Sequence, residues 1–346
     1  MKALLLTEYC HLEVADVPAP IPQPGEVLIR VDACGICGSD VHGYDGSSGR
    51  RIPPIVMGHE AAGTIAEIGA DVKSFSRGDR VTFDSTVSCG SCDYCRRGEV
   101  NLCDRRQVLG VSCGDYRRAG AFAEFIAVPA SIVYTLPASL SFAEASMLEA
   151  VAVAIHAVSL IQIPAGSTAL VVGAGTIGLL VQQALRVAGC SRVFVADVDN
   201  TRLKRAQELG ASATLLAGAT LMPEILQRTD NRGVDVAVEA VGNNETVATA
   251  INSVRKGGSV VLVGNISPEV TLPLQTVVTR QILLQGSCSS AGEYPRAIEL
   301  VSSGAIRVKP LITAVAPLQD GPQWFARLHA REPNLMKIVL TPGQSS

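Results

Sequence analysis

Residues 168–178 read TALVVGAGTIG and are followed by LLVQQALRVAGCSRVFVAD, residues 179–197. A short apolar run ends at Gly173, and Gly173, Gly175 and Gly178 form G-x-G-x-x-G ahead of an amphipathic stretch. Between a strand and a helix, such spacing has a physical purpose. Gly173 permits a tight turn, Gly175 lets backbone amides approach a pyrophosphate, and Gly178 lets helix and strand pack closely, with Thr176 and Ile177 opening the helix whose N-terminus favours the anion. About 20 residues on, Asp197 closes the next strand, where a carboxylate accepts hydrogen bonds from an adenosine ribose. Arg202 stands one helical turn beyond. The competing reading, a glycine turn plus a capping aspartate, is weaker, because Asp199 and Asn200 are better placed as caps.

Working outward, RVFVAD, VDVAVEAVG, SVVLVG and ILLQGS are short apolar strands. They alternate with the helical stretches GTIGLLVQQALRVAG, NTRLKRAQELG and NETVATAINSVRKGG, which end at Gly189, Gly210 and Gly257. That alternation predicts a doubly wound parallel sheet. Before about residue 150 the texture is β-rich, with VLIRVDA, AAGTIAEIG and GDRVTF as antiparallel strands. The last sixty residues carry a short helix around Pro295–Ser302 and a closing strand from Lys337, read as a return to the first domain. The fold class is therefore α/β: a β-rich domain over 1–153 with a cysteine lobe at 89–103, a Rossmann domain over 154–287, and a return over 288–346.

At 346 residues, 47% hydrophobic and 18% charged, the chain has enough apolar mass for two full cores. The opening MKALLLTEY is too short in its apolar part for a signal peptide, and the sequence suggests no membrane-length run, so a reducing cytoplasm is the expected compartment. The net charge is −3, and the pairs Arg50–Arg51, Arg96–Arg97, Arg105–Arg106 and Arg117–Arg118 are scattered near acids and read as solvated surface. With only 4% aromatic residues, the pattern argues against nucleic acid as a partner.

Four cysteines fall in CGSCDYCRRGEVNLC, at Cys89, Cys92, Cys95 and Cys103. Disulfide staples belong to small secreted domains, and a redox C-x-x-C does not require two further cysteines. Four soft ligands complete a tetrahedron around zinc and leave no open position, which makes such a site structural. Upstream, Cys37, His59 and Glu60 supply sulfur, nitrogen and oxygen, a mixed set of the kind that keeps a position open for substrate. Cys34 reads as a core-facing strand residue, while Cys10, Cys113, Cys190 and Cys288 read as buried or incidental thiols. His11 and His329 read as surface residues, and His156 on EAVAVAIHAV as a satisfied core histidine.

GHE, the four-cysteine lobe and VVGAGTIG in this order make the whole chain resemble the zinc-dependent medium-chain alcohol dehydrogenases, nearest to their sorbitol and polyol dehydrogenase branch. The resemblance implies a GroES-like catalytic domain built from both chain ends, a Rossmann domain between them, a substrate cleft at their junction, and a homodimer or homotetramer. It implies two zinc ions per chain and NAD. Cys37 and His59 match the catalytic zinc ligands; Glu60 and Glu149 match acids at that metal or its water, and which of them ligates stays open. Ala150 stands where many relatives have proline, which implies a less rigid loop at Glu149. Ser39 and His42 match residues that relay the substrate proton through the nicotinamide ribose to solvent, and histidine changes charge in the range where such release is useful.

The implied reaction is hydride transfer between NAD and a secondary hydroxyl of a polyol or sugar alcohol. Alternatives are a phosphorylated polyol, as in galactitol-1-phosphate dehydrogenase, a threonine 3-dehydrogenase-like activity, or a non-catalytic protein that keeps the fold. A zinc-free quinone reductase is disfavoured by Cys37, His59 and the four cysteines. Ser289 and Ser290 stand where sorbitol-type enzymes carry an Arg-Tyr pair, which implies a roomier pocket and a cyclic or longer substrate. Tyr44, Arg50 and Arg51 are candidate contacts.

Overall fold

The structure is a computed structural model that describes residues 1–112 and 118–343; Cys113 and Arg117 lie outside the described residues. The chain divides into two compact units, one of Met1–Glu149, Tyr294–Ser302 and Val308–Ser346, the other of Ala150–Glu293 and Ser303–Arg307. Against the expected breaks at 153/154 and 287/288, the divisions fall at 149/150 and 293/294, and 303–307 rejoins the second unit. The buried apolar turn Ala150–Ala154 belongs with that second unit.

The second unit is a six-stranded, all-parallel sheet in the order Ala213–Leu216, Arg192–Asp197, Thr168–Val172, Val234–Glu239, Val254–Leu262, Leu283–Gly286. That is the 3-2-1-4-5-6 order of a Rossmann sheet, whose switch point lies beside Thr168–Val172. All five residues of that strand are buried, as a two-faced parallel strand requires. Helices Thr176–Val187 and Asn200–Glu208 stop where expected, at Gly189 (φ +99°) and Gly210 (φ +92°). Asp199 caps the second by accepting from the Thr201 and Arg202 amides.

The helix expected to run to Gly257 ends instead at Ser253, and Val254–Leu262 is a strand. Parallel pairing with Val234–Glu239 and complete burial of Val254 override the local helical pattern there. The loop expected at Glu149–Ala150 is also a correction. Both residues sit in the first turn of helix Leu148–Ser159, and Ala150 is fully buried. The apolar stretch Phe142–Ser159 does reach the length and hydropathy of a membrane span, contrary to the sequence expectation, but 61% of it is buried inside the protein, as in a core helix.

The first unit is built on a seven-stranded sheet centred on Glu26–Gly35, which pairs antiparallel with Glu60–Ile68, with Phe125–Pro129 and with the closing strand Lys337–Thr341. Its core packs Leu4, Ile29, Phe83, Phe122, Phe325 and Leu340, among others, all 0% exposed. Register matters most at one end of this sheet. Gly35 lies opposite both Glu60 and Val339, so the residues just past Gly35, just before Glu60 and at the head of the last strand converge.

Candidate active site

That convergence brings Cys37, His59 and Glu60 together, their ligand atoms all within 4.8 Å of one another. Cys37 caps the short helix Gly38–Tyr44, and its amide donates to Asp40 Oδ2 at 3.2 Å. Gly35 is required here, because a Cβ would come within 2.6 Å of Glu60 Oε2. Glu60 is 1% exposed; Oε2 pairs with Lys337 Nζ at 2.5 Å, and Oε1 has no hydrogen-bond partner among the described residues. Burial by itself would lower the Lys337 pKa, but Glu60 and Cys37 hold it above the ordinary range.

Asp40, fully buried, accepts from Arg51 Nη2 at 3.0 Å and lies 3.3 Å from His59 Nδ1, without full hydrogen-bond alignment. Burial pushes its carboxyl up, but His59 and Arg51 outweigh burial and set it at about 2. Burial likewise disfavours a charged His59, yet Asp40 and the Cys37 sulfur raise it well above the usual imidazole range. The cluster thus draws a positive charge to the imidazole, with Asp40 on its Nδ1 side and Nε2 turned towards Ser39 Oγ. An unpartnered carboxylate oxygen beside a thiol and an imidazole so oriented fits zinc.

Glu149, partly exposed, is outside the 4.8 Å set, but its carboxyl feels His59, Glu60 and Asp84. Burial first, then the neighbouring acids, push it up to about 7; a cation in the cluster would act in the opposite direction. Ser39 Oγ lies 3.5 Å from His59 Nε2 and accepts from Arg51 Nη2 at 3.3 Å. His42, three residues along the same helix, places Nδ1 3.3 Å from Ser47 Oγ.

Asp40 and Lys337 are functional residues that the sequence reading did not identify. Arg51, expected on the solvated surface and as a candidate substrate contact, is instead 3% exposed and bound to Asp40. Its aliphatic stem packs where a Gly43 side chain would stand. Tyr44 is likewise withdrawn as a substrate contact: it is buried, and its hydroxyl donates to the Cys10 carbonyl at 2.8 Å. Arg50 is exposed. Ser290 is 1% exposed, so of the two serines only Ser289 reaches the surface.

The four lobe sulfurs also lie within 4.8 Å of one another, with Cys89–Cys95 at 4.0 Å and Cys92–Cys95 at 3.5 Å. A tetrahedral ion at about 2.3 Å from each sulfur has edges of about 3.8 Å, which these separations bracket. The Cys89 and Arg105 amides donate to Cys103 Sγ at 3.2 and 3.4 Å, and amides of Ser91 and Cys92 lower the Cys89 thiol to about 5. The donors fit a closed site. Cys34 is a buried strand residue and Cys190 is buried; Cys10 and Cys288 are exposed. His11 and His329 are exposed, and His156 is buried with Nδ1 2.7 Å from Glu293.

In the second unit Gly173 has φ +101°, and a Cβ on Gly178 would fall on the Gly173 carbonyl oxygen. Gly175 differs: a Cβ there would meet no protein atom within 4 Å. Nothing in the protein itself requires glycine at 175, whereas a closely approaching pyrophosphate would, so the turn fits a dinucleotide. Asp197 is buried and braces the turn by accepting from Ala174 N at 2.6 Å. Arg202 turns to Asp199, 3.8 Å away.

The family model for the alcohol dehydrogenase GroES-like domain matches residues 23–138, and that for zinc-binding dehydrogenases matches residues 176–303. The chain is 34% identical to a sorbitol dehydrogenase of Bacillus subtilis over 99% of this chain and 98% of that one. It is 36% identical to an L-idonate 5-dehydrogenase of Vitis vinifera, over 87% and 84%. Among solved structures, an Escherichia coli dehydrogenase of unknown specificity superposes with a TM-score of 0.93 at 32% identity, covering 98% of both chains. A zinc-binding dehydrogenase of Sinorhizobium meliloti bound to NADP gives 0.89 at 32%, covering 99% of both. The chain belongs to the zinc-binding medium-chain alcohol dehydrogenase family, in its polyol dehydrogenase branch.

Proposed function

We propose that this protein is a zinc- and NAD-dependent dehydrogenase that interconverts a secondary hydroxyl of a polyol or sugar alcohol with the ketone. The observation that carries the reading is the meeting of half-buried Cys37 with buried His59 and Glu60 beside the Ser39 hydroxyl. Cys37, His59 and one of the acids Glu60 and Glu149 would hold the catalytic zinc, and Cys89, Cys92, Cys95 and Cys103 the structural one. When bound, the zinc supplies Lewis-acid polarisation of the substrate hydroxyl and the nicotinamide accepts the hydride.

The chain's own residues handle position and proton. Asp40 and Arg51 fix His59 and Ser39, with Arg51 occupying one lone pair of Ser39 Oγ. Ser39 takes the hydroxyl proton, and His42, on the same helix face, carries it outward. Gly173, Gly175, Thr176, Ile177 and Gly178 form the pyrophosphate turn, and Asp197 faces the adenosine ribose. Exposed Leu274, Val278 and Leu283, at the edge of the parallel sheet and the helix before it, offer a homo-oligomer apolar area to bury.

A panel of sorbitol, longer and cyclic polyols, sugar derivatives, polyol phosphates and simple alcohols, followed by nicotinamide absorbance, tests the reading. A polyol or sugar derivative should be turned over best. Turnover confined to phosphorylated compounds would overturn it; burial of Arg51 leaves Arg50 as the single exposed cation of the pair that would favour them.

A further inference from the structure

Glu239 closes the strand Val234–Glu239 and lies opposite Val172, the last residue of Thr168–Val172, so these two strands end level at the switch point of the sheet. Its side chain is 0% exposed, a place where a carboxylate is costly unless its oxygens are bonded. Oε1 accepts from the Val241 and Gly242 amides at 2.8 and 2.7 Å. Oε2 has no partner among the described residues. The main-chain carbonyl of Glu239 accepts in turn from the Val263 and Gly264 amides at 2.9 and 3.1 Å. Glu239 therefore ties together the turns that follow two neighbouring strands, Val234–Glu239 and Val254–Leu262.

The turn it braces is wedged on both sides. A Cβ on Gly173 would come within 2.5 Å of Val241 Cγ2, and one on Gly264 within 2.2 Å of the Val241 carbonyl carbon. Closing a strand needs neither a buried charge nor an unpaired oxygen, because an uncharged acceptor could take the same two amides. A carboxylate holds them more firmly, which matters where the turn must seat a ligand. The ribose contact assigned to Asp197 puts the adenosine on the side of Thr168–Val172 where Arg192–Asp197 is the neighbour. The other mononucleotide then falls to the opposite side, where the neighbour is Val234–Glu239. We propose that Glu239 is a positioning residue for the nicotinamide half of the cofactor: by fixing the Val241 and Gly242 amides it shapes the turn on which that half rests, and it leaves the adenosine half alone. The proposal rests on the dinucleotide reading of the glycine turn.

The test is titration calorimetry of the full-length protein with NADH and with ADP, which carries the adenosine and the pyrophosphate but no nicotinamide. Glu239→Leu should weaken NADH binding about tenfold or more, as expected for lost hydrogen bonds to a charged acceptor, and leave ADP binding unchanged. Glu239→Gln keeps an acceptor for both amides and should bring NADH affinity back towards wild type. Val241→Ala leaves the carboxylate and its bonds in place while trimming the contact with Gly173. It should show the same NADH-selective loss in smaller measure, and it decides the matter if Glu239→Leu does not fold. Equal losses for NADH and ADP would overturn the role assigned to Glu239, because a merely structural brace has no reason to spare one ligand. So would NADH affinity unmoved by Glu239→Leu, or by Val241→Ala where that variant stands in for it. Wild-type protein that binds no NADH would instead sink the dinucleotide reading, and the proposal with it.

Discussion

Asp40→Asn is the sharpest perturbation the first unit offers, because the change is nearly isosteric and the charge it removes is fully enclosed. Asp40 is 0% exposed and Arg51 3%, with 3.0 Å between Oδ1 and Nη2, and the Cys37 amide bonds the other oxygen. Removing one member of a buried pair typically costs about 3–5 kcal/mol, since the partner charge is left uncompensated. A second route to the magnitude agrees in scale. The carboxyl is lowered from 3.8 to about 2, a depression worth roughly 2 kcal/mol. Because the folded value is depressed, that stability is fully present above about pH 4 and is lost as the pH falls towards 2. In protein stripped by a chelator, Asp40→Asn should lower the melting temperature at pH 7 by roughly 10 °C, at about 2–4 °C per kcal/mol for a unit of this size. The gap between variant and wild type should close between pH 4 and 2. Zinc competition with a chelator should show affinity about 10–100-fold weaker, as expected when the residue orienting a histidine ligand is lost. A melting temperature within 2 °C of wild type at pH 7, with unchanged zinc affinity, would refute the assignment of Asp40 as the group that holds Arg51 and His59.

Elemental analysis should find two zinc ions per chain; Cys37→Ala should lose one and Cys92→Ala the other, the second with the larger fall in stability because that site replaces a core worth on the order of 10 kcal/mol. NAD should be preferred over NADP, since a 2′-phosphate about 4 Å from the Asp197 carboxylate meets a repulsion of roughly 4 kcal/mol at an effective dielectric near 20, and Arg202 is turned to Asp199; equal kcat/KM for the two cofactors would remove Asp197 from the ribose site. His42→Ala should cut turnover about 100-fold at neutral and acid pH, with partial recovery at high pH where solvent base substitutes; an unchanged profile would take His42 out of the relay.

What could be read from the sequence followed the distance along the chain over which each feature is encoded. The four lobe cysteines span Cys89–Cys103, and the glycine turn is complete within Gly173–Gly178, so spacing alone was enough to pick out both sets. The parallel sheet was visible for the same reason in five of its six strands; the edge strand Ala213–Leu216 was missed, and Val254 is in a strand because its neighbour is Val234, not because VRKGG prefers to be one. The pairs that orient the catalytic cluster are encoded differently. Lys337 meets Glu60 across 277 positions through the register of three strands, and Arg51 reaches Asp40 only because Gly43 leaves room for its stem. Local signals did exist. Asp40 follows Cys37 by three residues, the spacing at which a side chain returns to a cap amide, and Lys337 heads an otherwise apolar closing strand, where an unpaired ammonium would not be tolerated. Each marks a buried charge in need of a partner, and neither names the partner. The residues proposed as ligands are thus marked locally in this family member, while their orientation is written in the pairing of strands. Substitutions at Asp40, Arg51 or Lys337 should therefore alter metal affinity and protonation while leaving every recognisable motif intact.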